Sequence, residues 1–131
     1  MYKYYQPNRK DLKDKYGDCT IRALSKALNL TWIEAYKLTI PYCIEYQSPN
    51  IFNLPHKIEA EVMDKLGFTY HGISNRQGSK RPTVSSFARS HKTGVFIANV
   101  ANHEVTIVDG DYYDTWDCGS KSLYGYYELR Q

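Results

Sequence analysis

The dipeptide Asp109-Gly110 joins two stretches in which apolar and polar residues alternate, and few folds accommodate that arrangement. The first stretch is His103–Val108 and the second covers residues 112–115. Alternation with a period of two is typical of β-strands, and Asp-Gly favours the positive φ angles of a two-residue hairpin turn. The sequence therefore predicts an antiparallel hairpin in which Val108 lies opposite Asp111.

Helical periodicity precedes this hairpin. Apolar residues three and four positions apart predict helices over residues 19–28, 57–66 and 84–90. A capping box formed by Thr31 and Glu34 predicts the start of a further helix, which Pro41 should end or kink. Other strands are predicted at residues 68–71, 95–100 and 123–129, and residues 1–17 read as an irregular arm. Helices followed by strands predict an α+β fold with helices on one side of an antiparallel sheet. The helical part covers about residues 18–91 and the sheet about residues 95–129.

Length and composition fit one domain spanning residues 1–131. The chain is 42% hydrophobic and 24% charged, as in ordinary globular proteins. It has no apolar run of about 18 residues that would predict a membrane span. The N-terminal residues lack the apolar core of a signal peptide. We therefore expect a cytoplasmic protein that does not contact membranes.

Charge and cysteine content argue against a nucleic-acid-binding, a disulfide-rich and a zinc-binding protein. The formal net charge is only +3 and no recognised motif accompanies it, so nucleic acid is not an expected partner. The three cysteines, Cys19, Cys43 and Cys118, include no CxxC pair, which argues against a disulfide framework and a structural zinc site. A metal held by Cys19, His103 and either Cys118 or an acid is a separate hypothesis. Because the chain lacks a short-range ligand pair, we expect no metal or cofactor.

Cys19 lies where a polar loop is predicted to become the first helix, with Asp18 at the N-cap and Ile21 and Leu24 on the buried face. In a first helical turn, unpaired N–H groups and the positive end of the helix dipole stabilise a thiolate. The pKa of the thiol is then lowered and the cysteine becomes a better nucleophile. The alternative is a small core residue, because free cysteines are among the most buried residues.

The hairpin register predicts a base for this cysteine. With a two-residue turn, His103, Asp114 and Trp116 lie on the same face of the sheet, and Asp114 is the diagonal neighbour of His103. A carboxylate there would orient the imidazole, and Trp116 would shield the pair from water. A three-residue turn would instead bring Asp117 opposite His103, so Asp117 is the alternative acid.

The order of a cysteine on a helix, a histidine on a strand and an acid on the next strand resembles that of papain-like cysteine peptidases. Asp114-Thr115-Trp116 resembles the Asn-Ser-Trp tripeptide of that fold. The segments GDCTxRALSKAL (residues 17–28) and HxVxxVDGxxYDTW (residues 103–116) resemble those of small phage-encoded or prophage-encoded proteins of this superfamily. The resemblance implies a papain-like fold, a location in the host cytoplasm, Cys19 as nucleophile, His103 as base and Asp114 as orienting acid.

The chain departs from the papain-like pattern at one position. Papain-like enzymes usually carry a glutamine about six residues before the cysteine as an oxyanion-hole donor, and here that residue is Lys13. Gln6 and Asn8 are the amides further upstream, and Asn8 is our candidate donor. The backbone N–H of Cys19 would supply the second donor.

Two functions follow from these residues. The first is a thiol hydrolase, either a peptidase, an isopeptidase or an amidase, with a peptide or protein substrate. The second is a scaffold with little or no catalysis, a phage accessory protein that binds a host protein. The departure at Lys13 and the abundance of tyrosine, which suits protein interfaces, favour the second function.

Overall fold

A computed structural model describes residues 1–9, 17–74 and 80–131 of the chain; Lys13 lies outside these ranges. The described helices are α1 (Cys19–Leu28), α2 (Trp32–Glu45), α3 (His56–Lys65) and α4 (Val84–Ser90), with a 3-10 turn at Ile51–Asn53. The described strands are β1 (Tyr2–Tyr4), β2 (Phe68–Gly72), β3 (Val95–Val100), β4 (His103–Val108), β5 (Asp111–Asp114) and β6 (Gly125–Leu129). The chain is therefore α+β. Among these helices, none combines the length and apolar character needed to cross a membrane.

The six described strands form one mixed sheet in the order β1-β5-β4-β3-β6-β2. Neighbouring strands are antiparallel except β1, which runs parallel to β5 with Tyr2 opposite Tyr112. The prediction of a purely antiparallel sheet is wrong at this edge, as is the prediction of a wholly irregular arm. β1 has only three residues and all of them are partly or fully exposed, so it is a strand only through its pairing with β5.

The central hairpin has the predicted register. Val108 pairs with Asp111 and Ile107 with Tyr112, which leaves two residues in the turn. Both adopt positive φ, +49° at Asp109 and +88° at Gly110, as the hairpin turn requires. The prediction of a two-residue turn is confirmed.

The helices begin and end close to the predicted residues. The capping box of α2 is present: the Thr31 hydroxyl accepts from the Glu34 N–H at 3.1 Å, and the Glu34 carboxylate accepts from the Thr31 N–H at 2.9 Å. Pro41 lies inside α2, which continues to Glu45. Helix α4 has a second capping box between Thr83 and Ser86.

The helices cover both faces of the sheet, so the expectation that they lie on one side is wrong. Ile97 packs in a core with α1, α2 and α3, whereas its neighbours Phe96 and Ala98 pack in a second core with Phe87 of α4. Strand β3 is buried on both faces, so its sequence lacks the apolar–polar alternation of a sheet that is covered on one face only. The molecule has three layers.

Helix α1 is held against β4 by two buried hydrogen bonds. The Thr106 hydroxyl donates to the Ala23 carbonyl at 2.7 Å, and the Thr20 hydroxyl donates to Glu104 Oε1 at 2.5 Å. Glu104 and Thr106 thus face α1, while alternation turns the side chain of His103 toward the other face. The start of β4 consequently lies at the first turn of α1.

Candidate active site

A pocket of about 300 Å³ lies where the first turn of α1 meets the start of β4. Cys19 and His103 both line it, together with Arg22, Asn102 and Trp116. No hydrogen bond joins the Cys19 thiol to His103 in the part of the chain that is described. The structure therefore brings the predicted nucleophile and base to one pocket without a direct bond between them.

The imidazole of His103 is held by Asp114. Nε2 of His103 contacts Asp114 Oδ2, and both side chains are buried. Because Nε2 makes this contact, Nδ1 is the ring nitrogen that points away from Asp114. The Trp116 ring lies beside the imidazole, with ring centroids 5.2 Å apart, although Trp116 itself is 43% exposed.

Three further donors surround the Asp114 carboxylate. Its Oδ1 accepts from the Thr115 N–H at 2.7 Å and lies 3.5 Å from Nη2 of Arg22. Its Oδ2 accepts from the Cys118 thiol at 3.4 Å. Donors on both oxygens fix the orientation of the carboxylate.

The alternative acid, Asp117, is not brought to His103. Its Oδ1 accepts from the Tyr112 hydroxyl at 2.7 Å and from the Gly119 N–H at 2.9 Å. These two hydrogen bonds lower the pKa of Asp117. The two-residue turn accounts for the difference, since a longer turn would have shifted Asp117 toward the histidine.

Asp18 occupies the N-cap position of α1, but its side chain does not cap the helix. Its Oδ1 contacts Nη1 of Arg22, and its Oδ2 accepts from Asn8 Nδ2 and Trp32 Nε1, each at 3.2 Å. Arg22 thus bridges Asp18, the residue before Cys19, to Asp114. The side chain of the N-cap residue itself thus leaves the first-turn N–H groups of α1 uncapped.

The candidate oxyanion donor Asn8 contacts Asp18 and does not line the pocket that contains Cys19. Its Nδ2 donates to that carboxylate and its Oδ1 accepts from the Arg9 N–H at 2.7 Å. Asn8 borders a different pocket, together with Trp32. Asn102 is the amide that lines the pocket of Cys19, and sequence reasoning missed it. Its φ of +53° in the β3–β4 turn is a conformation that asparagine tolerates well.

The prediction that the helix terminus lowers the pKa of Cys19 is wrong. Burial raises the pKa of the Cys19 thiol to about 12, and the nearby Glu104 carboxylate acts in the same direction. The Glu104 N–H, Arg22 and Thr20 favour the thiolate but do not outweigh the desolvation. At neutral pH the side chain is a thiol, so any attack by sulfur requires a base to remove the proton.

Sequence reasoning also missed a buried acidic pair beneath α1. Glu104, whose side chain faces Thr20, accepts a second hydrogen bond from Asn99 Nδ2 at 3.3 Å. Glu59 on α3 interacts with it and accepts from the Tyr127 hydroxyl at 2.6 Å. Burial raises the pKa of both carboxyls. The available signal was a glutamate placed on the inward face of an otherwise uncharged strand.

The arrangement combines a thiol, an imidazole and a carboxylate that orients the ring. Such a set is suited to proton transfer and to attack on a carbonyl carbon. His103, Asp114 and Cys118 also place potential metal-ligand atoms within 4.8 Å of one another. The chain matches no protein-family model, and comparisons with curated proteins and with solved structures find no match.

Proposed function

We propose that the protein is a papain-like cysteine hydrolase, encoded by a phage or prophage, that cleaves amide or thioester bonds. The observation that carries the proposal is the shared pocket, in which Cys19 lies with a His103 ring that is bonded through Nε2 to Asp114. The segments around Cys19 and His103 that resemble the papain-like superfamily support the same assignment.

The reaction begins when a substrate carbonyl enters the pocket. Nδ1 of His103 removes the thiol proton as Sγ of Cys19 attacks the carbonyl carbon, and the resulting imidazolium is stabilised by Asp114. The imidazolium then gives its proton to the leaving amine or thiol, which leaves an acyl group on Cys19. Water, activated by the same nitrogen, releases the acid and restores the thiol.

The uncapped start of α1 supports this mechanism. Because the Asp18 carboxylate binds Arg22, Asn8 and Trp32 and does not cap α1, we assign the N–H groups of the first helical turn to the negative oxygen of a tetrahedral intermediate. The Asn102 amide makes no hydrogen bond within the described residues and lines the same pocket. It is the side-chain donor that we assign to the oxyanion.

The test uses two cysteines that are buried to nearly the same extent, Cys19 at 7% exposure and Cys43 at 8%. The protein is incubated with a panel of fluorogenic peptide amides and acyl thioesters, and acylated peptides are identified by mass spectrometry after acid quenching. We expect turnover and an acyl adduct on Cys19, both absent in Cys19→Ala and preserved in Cys43→Ala. Equal hydrolysis by Cys19→Ala would contradict the proposal.

A binding protein on the same scaffold is the second candidate, and the raised pKa of Cys19 favours it. A thiol that is neutral and buried in the free protein serves packing as well as it serves catalysis. Exposed tyrosines suit a protein interface; Tyr4 is 63% and Tyr124 is 44% exposed. Affinity for a purified host protein that is the same in wild type and Cys19→Ala, without any acyl adduct, would favour this function.

A further inference from the structure

Side chains of His103 and Cys118, both potential metal ligands, contact the same carboxylate oxygen of Asp114, a third potential ligand. Asp114 Oδ2 receives hydrogen bonds from His103 Nε2 and, at 3.4 Å, from Cys118 Sγ. All three residues are buried, and their nearest ligand atoms lie within 4.8 Å of one another. The mechanism above uses His103 and Asp114 but assigns no chemical step to Cys118.

We propose that His103, Asp114 and Cys118 form a binding site for a thiophilic divalent cation such as Zn²⁺, and that the bound cation switches off His103 as a base. The proposal of a metal site depends only on the positions of these three side chains. The inhibitory consequence rests on the proposed hydrolase function.

The donor atoms are close to the spacing that a tetrahedral ion needs. Zinc binds nitrogen, oxygen and thiolate sulfur at about 2.0–2.3 Å, which places its ligands roughly 3.2–3.8 Å apart. The oxygen–sulfur separation of Asp114 and Cys118, 3.4 Å, already falls in that interval. His103 Nε2 and Asp114 Oδ2 are joined by a hydrogen bond, and a cation that replaces its proton would hold the two atoms at the same tetrahedral spacing.

Charge and ligand type favour a thiophilic ion over calcium or magnesium. Thiolate and imidazole select zinc and related transition metals, whereas calcium and magnesium prefer sites made of oxygen. One carboxylate and one thiolate would neutralise a divalent cation, which suits a buried site. With three protein ligands, the fourth coordination position is left to water.

Binding requires a defined movement of protons. Cys118 loses its thiol proton to solvent, and the imidazole moves its N–H from Nε2 to Nδ1 so that Nε2 can donate its lone pair to the metal. One proton is therefore released for each cation bound. Protonated Nδ1 can no longer accept the proton of Cys19, so the metal-loaded protein lacks its base.

The test titrates metal-free full-length protein with Zn²⁺ against a chromophoric chelator. We expect one equivalent bound per chain, with affinity lowered at least about 100-fold in Cys118→Ser and unchanged in Cys43→Ser. Serine keeps a hydrogen-bond donor toward Asp114 but removes the soft ligand. Co²⁺ provides a second readout, because sulfur-to-cobalt charge-transfer absorption should appear in wild type and be missing in Cys118→Ser.

The outcomes separate this site from the hydrolase proposal. No zinc binding by wild type, equal affinity in Cys118→Ser, or loss of binding in Cys19→Ser would overturn the site, the last because it would place the metal on Cys19 instead. Zinc binding by a protein with no hydrolase activity would support the site and reject only the proposed function. Hydrolysis that is unaffected when one equivalent of zinc is bound would overturn the inhibitory role.

Discussion

Burial, more than helix position, determines the state of Cys19. The Glu104 N–H, Arg22 and Thr20 all favour a thiolate, yet removal of the side chain from water raises the thiol pKa to about 12. In the proposed mechanism His103, whose Nε2 contacts Asp114, must therefore remove the thiol proton. At the scale of single residues, the candidate site depends on how well that ring is oriented.

Removal of the orienting acid should reduce catalysis strongly. Asp114→Ala leaves Nε2 of His103 without its partner, and we expect kcat/KM to fall by about 10²- to 10⁴-fold. Asp117→Asn is the matched control, because its carboxylate binds Tyr112 instead. Steady-state kinetics of both variants decide between the two acids, and a larger loss in Asp117→Asn would contradict our assignment.

The oxyanion assignment predicts a different kinetic pattern. A donor that acts on the transition state alone changes kcat more than KM, so Asn102→Ala should lower kcat by about 10²-fold with little change in KM. Asn8→Ala removes the hydrogen bond to Asp18 at 3.2 Å and should have a smaller effect. A larger loss of kcat in Asn8→Ala than in Asn102→Ala would assign the oxyanion donor to Asn8 instead.

At the scale of elements, Cys19 and His103 are positioned by the contact between α1 and β4. Thr20 follows Cys19 on α1, Glu104 follows His103 on β4, and a 2.5 Å hydrogen bond joins the two. Thr106 makes a second bond to α1 further along the strand. These two bonds act on the same pair of elements at different distances from the pocket.

This arrangement allows stability and positioning to be separated. Thr20→Val and Thr106→Val each remove a buried hydroxyl donor while keeping the side-chain shape, and each should cost about 1–3 kcal/mol in urea unfolding. Only Thr20→Val should also lower kcat, since only Thr20 adjoins Cys19. Equal changes in kcat would indicate that the α1–β4 contact has no specific positioning role.

The acidic pair between α3 and the sheet predicts a pH-dependent stability. Glu59 faces Glu104, Tyr127 and Tyr70, and burial raises its pKa from 4.5 to about 9. Below about pH 4.5 the group is protonated in the folded and unfolded states and its full contribution to stability is present. Between the two values the unfolded chain alone loses the proton, so stability falls as the pH rises toward 9.

Glu59→Gln should flatten this dependence, because a neutral amide retains an acceptor for the Tyr127 hydroxyl. Glu61→Gln, an exposed change on the same helix, is the control. Urea unfolding midpoints between pH 5 and pH 9 measure the effect. A slope in Glu59→Gln equal to that of wild type would contradict the role of this carboxyl.

At the scale of the whole molecule, one sheet separates two hydrophobic cores. Leu24 lies fully buried in the core beneath α1, and Phe87 of α4 is 3% exposed in the core on the opposite face. Since β3 contributes side chains to both cores, loss of either core removes support from this strand. Unfolding should therefore be cooperative across the three layers.

Core truncations on the two faces test this cooperativity. We expect Leu24→Ala to cost about 2–5 kcal/mol and Phe87→Ala about 3–5 kcal/mol. In both variants the transitions followed by circular dichroism and by tryptophan fluorescence should coincide. Separate transitions in Phe87→Ala would show that the α4 face unfolds independently of the rest.

The local features of this fold could be predicted from sequence because neighbouring residues determine them. The span of α1, the capping box at Thr31 and the turn at Asp109-Gly110 depend on spacing and on turn chemistry over a few positions. Because side chains alternate along a strand, the length of that turn also determined that Asp114 lies on the same face of the sheet as His103. The position of the acid was thus predictable without knowledge of any distant contact.

Tertiary structure decided the remaining features, because they depend on residues far apart in the chain. β1 is a strand only through its pairing with β5, and α4 crosses to the second face because β3 is buried on both sides. The thiol pKa of Cys19 follows from burial against β4, and Cys118 reaches Asp114 only when the loop after β5 folds back. Local sequence thus determined which groups face one another across the hairpin, whereas long-range packing determined their solvation and their additional partners.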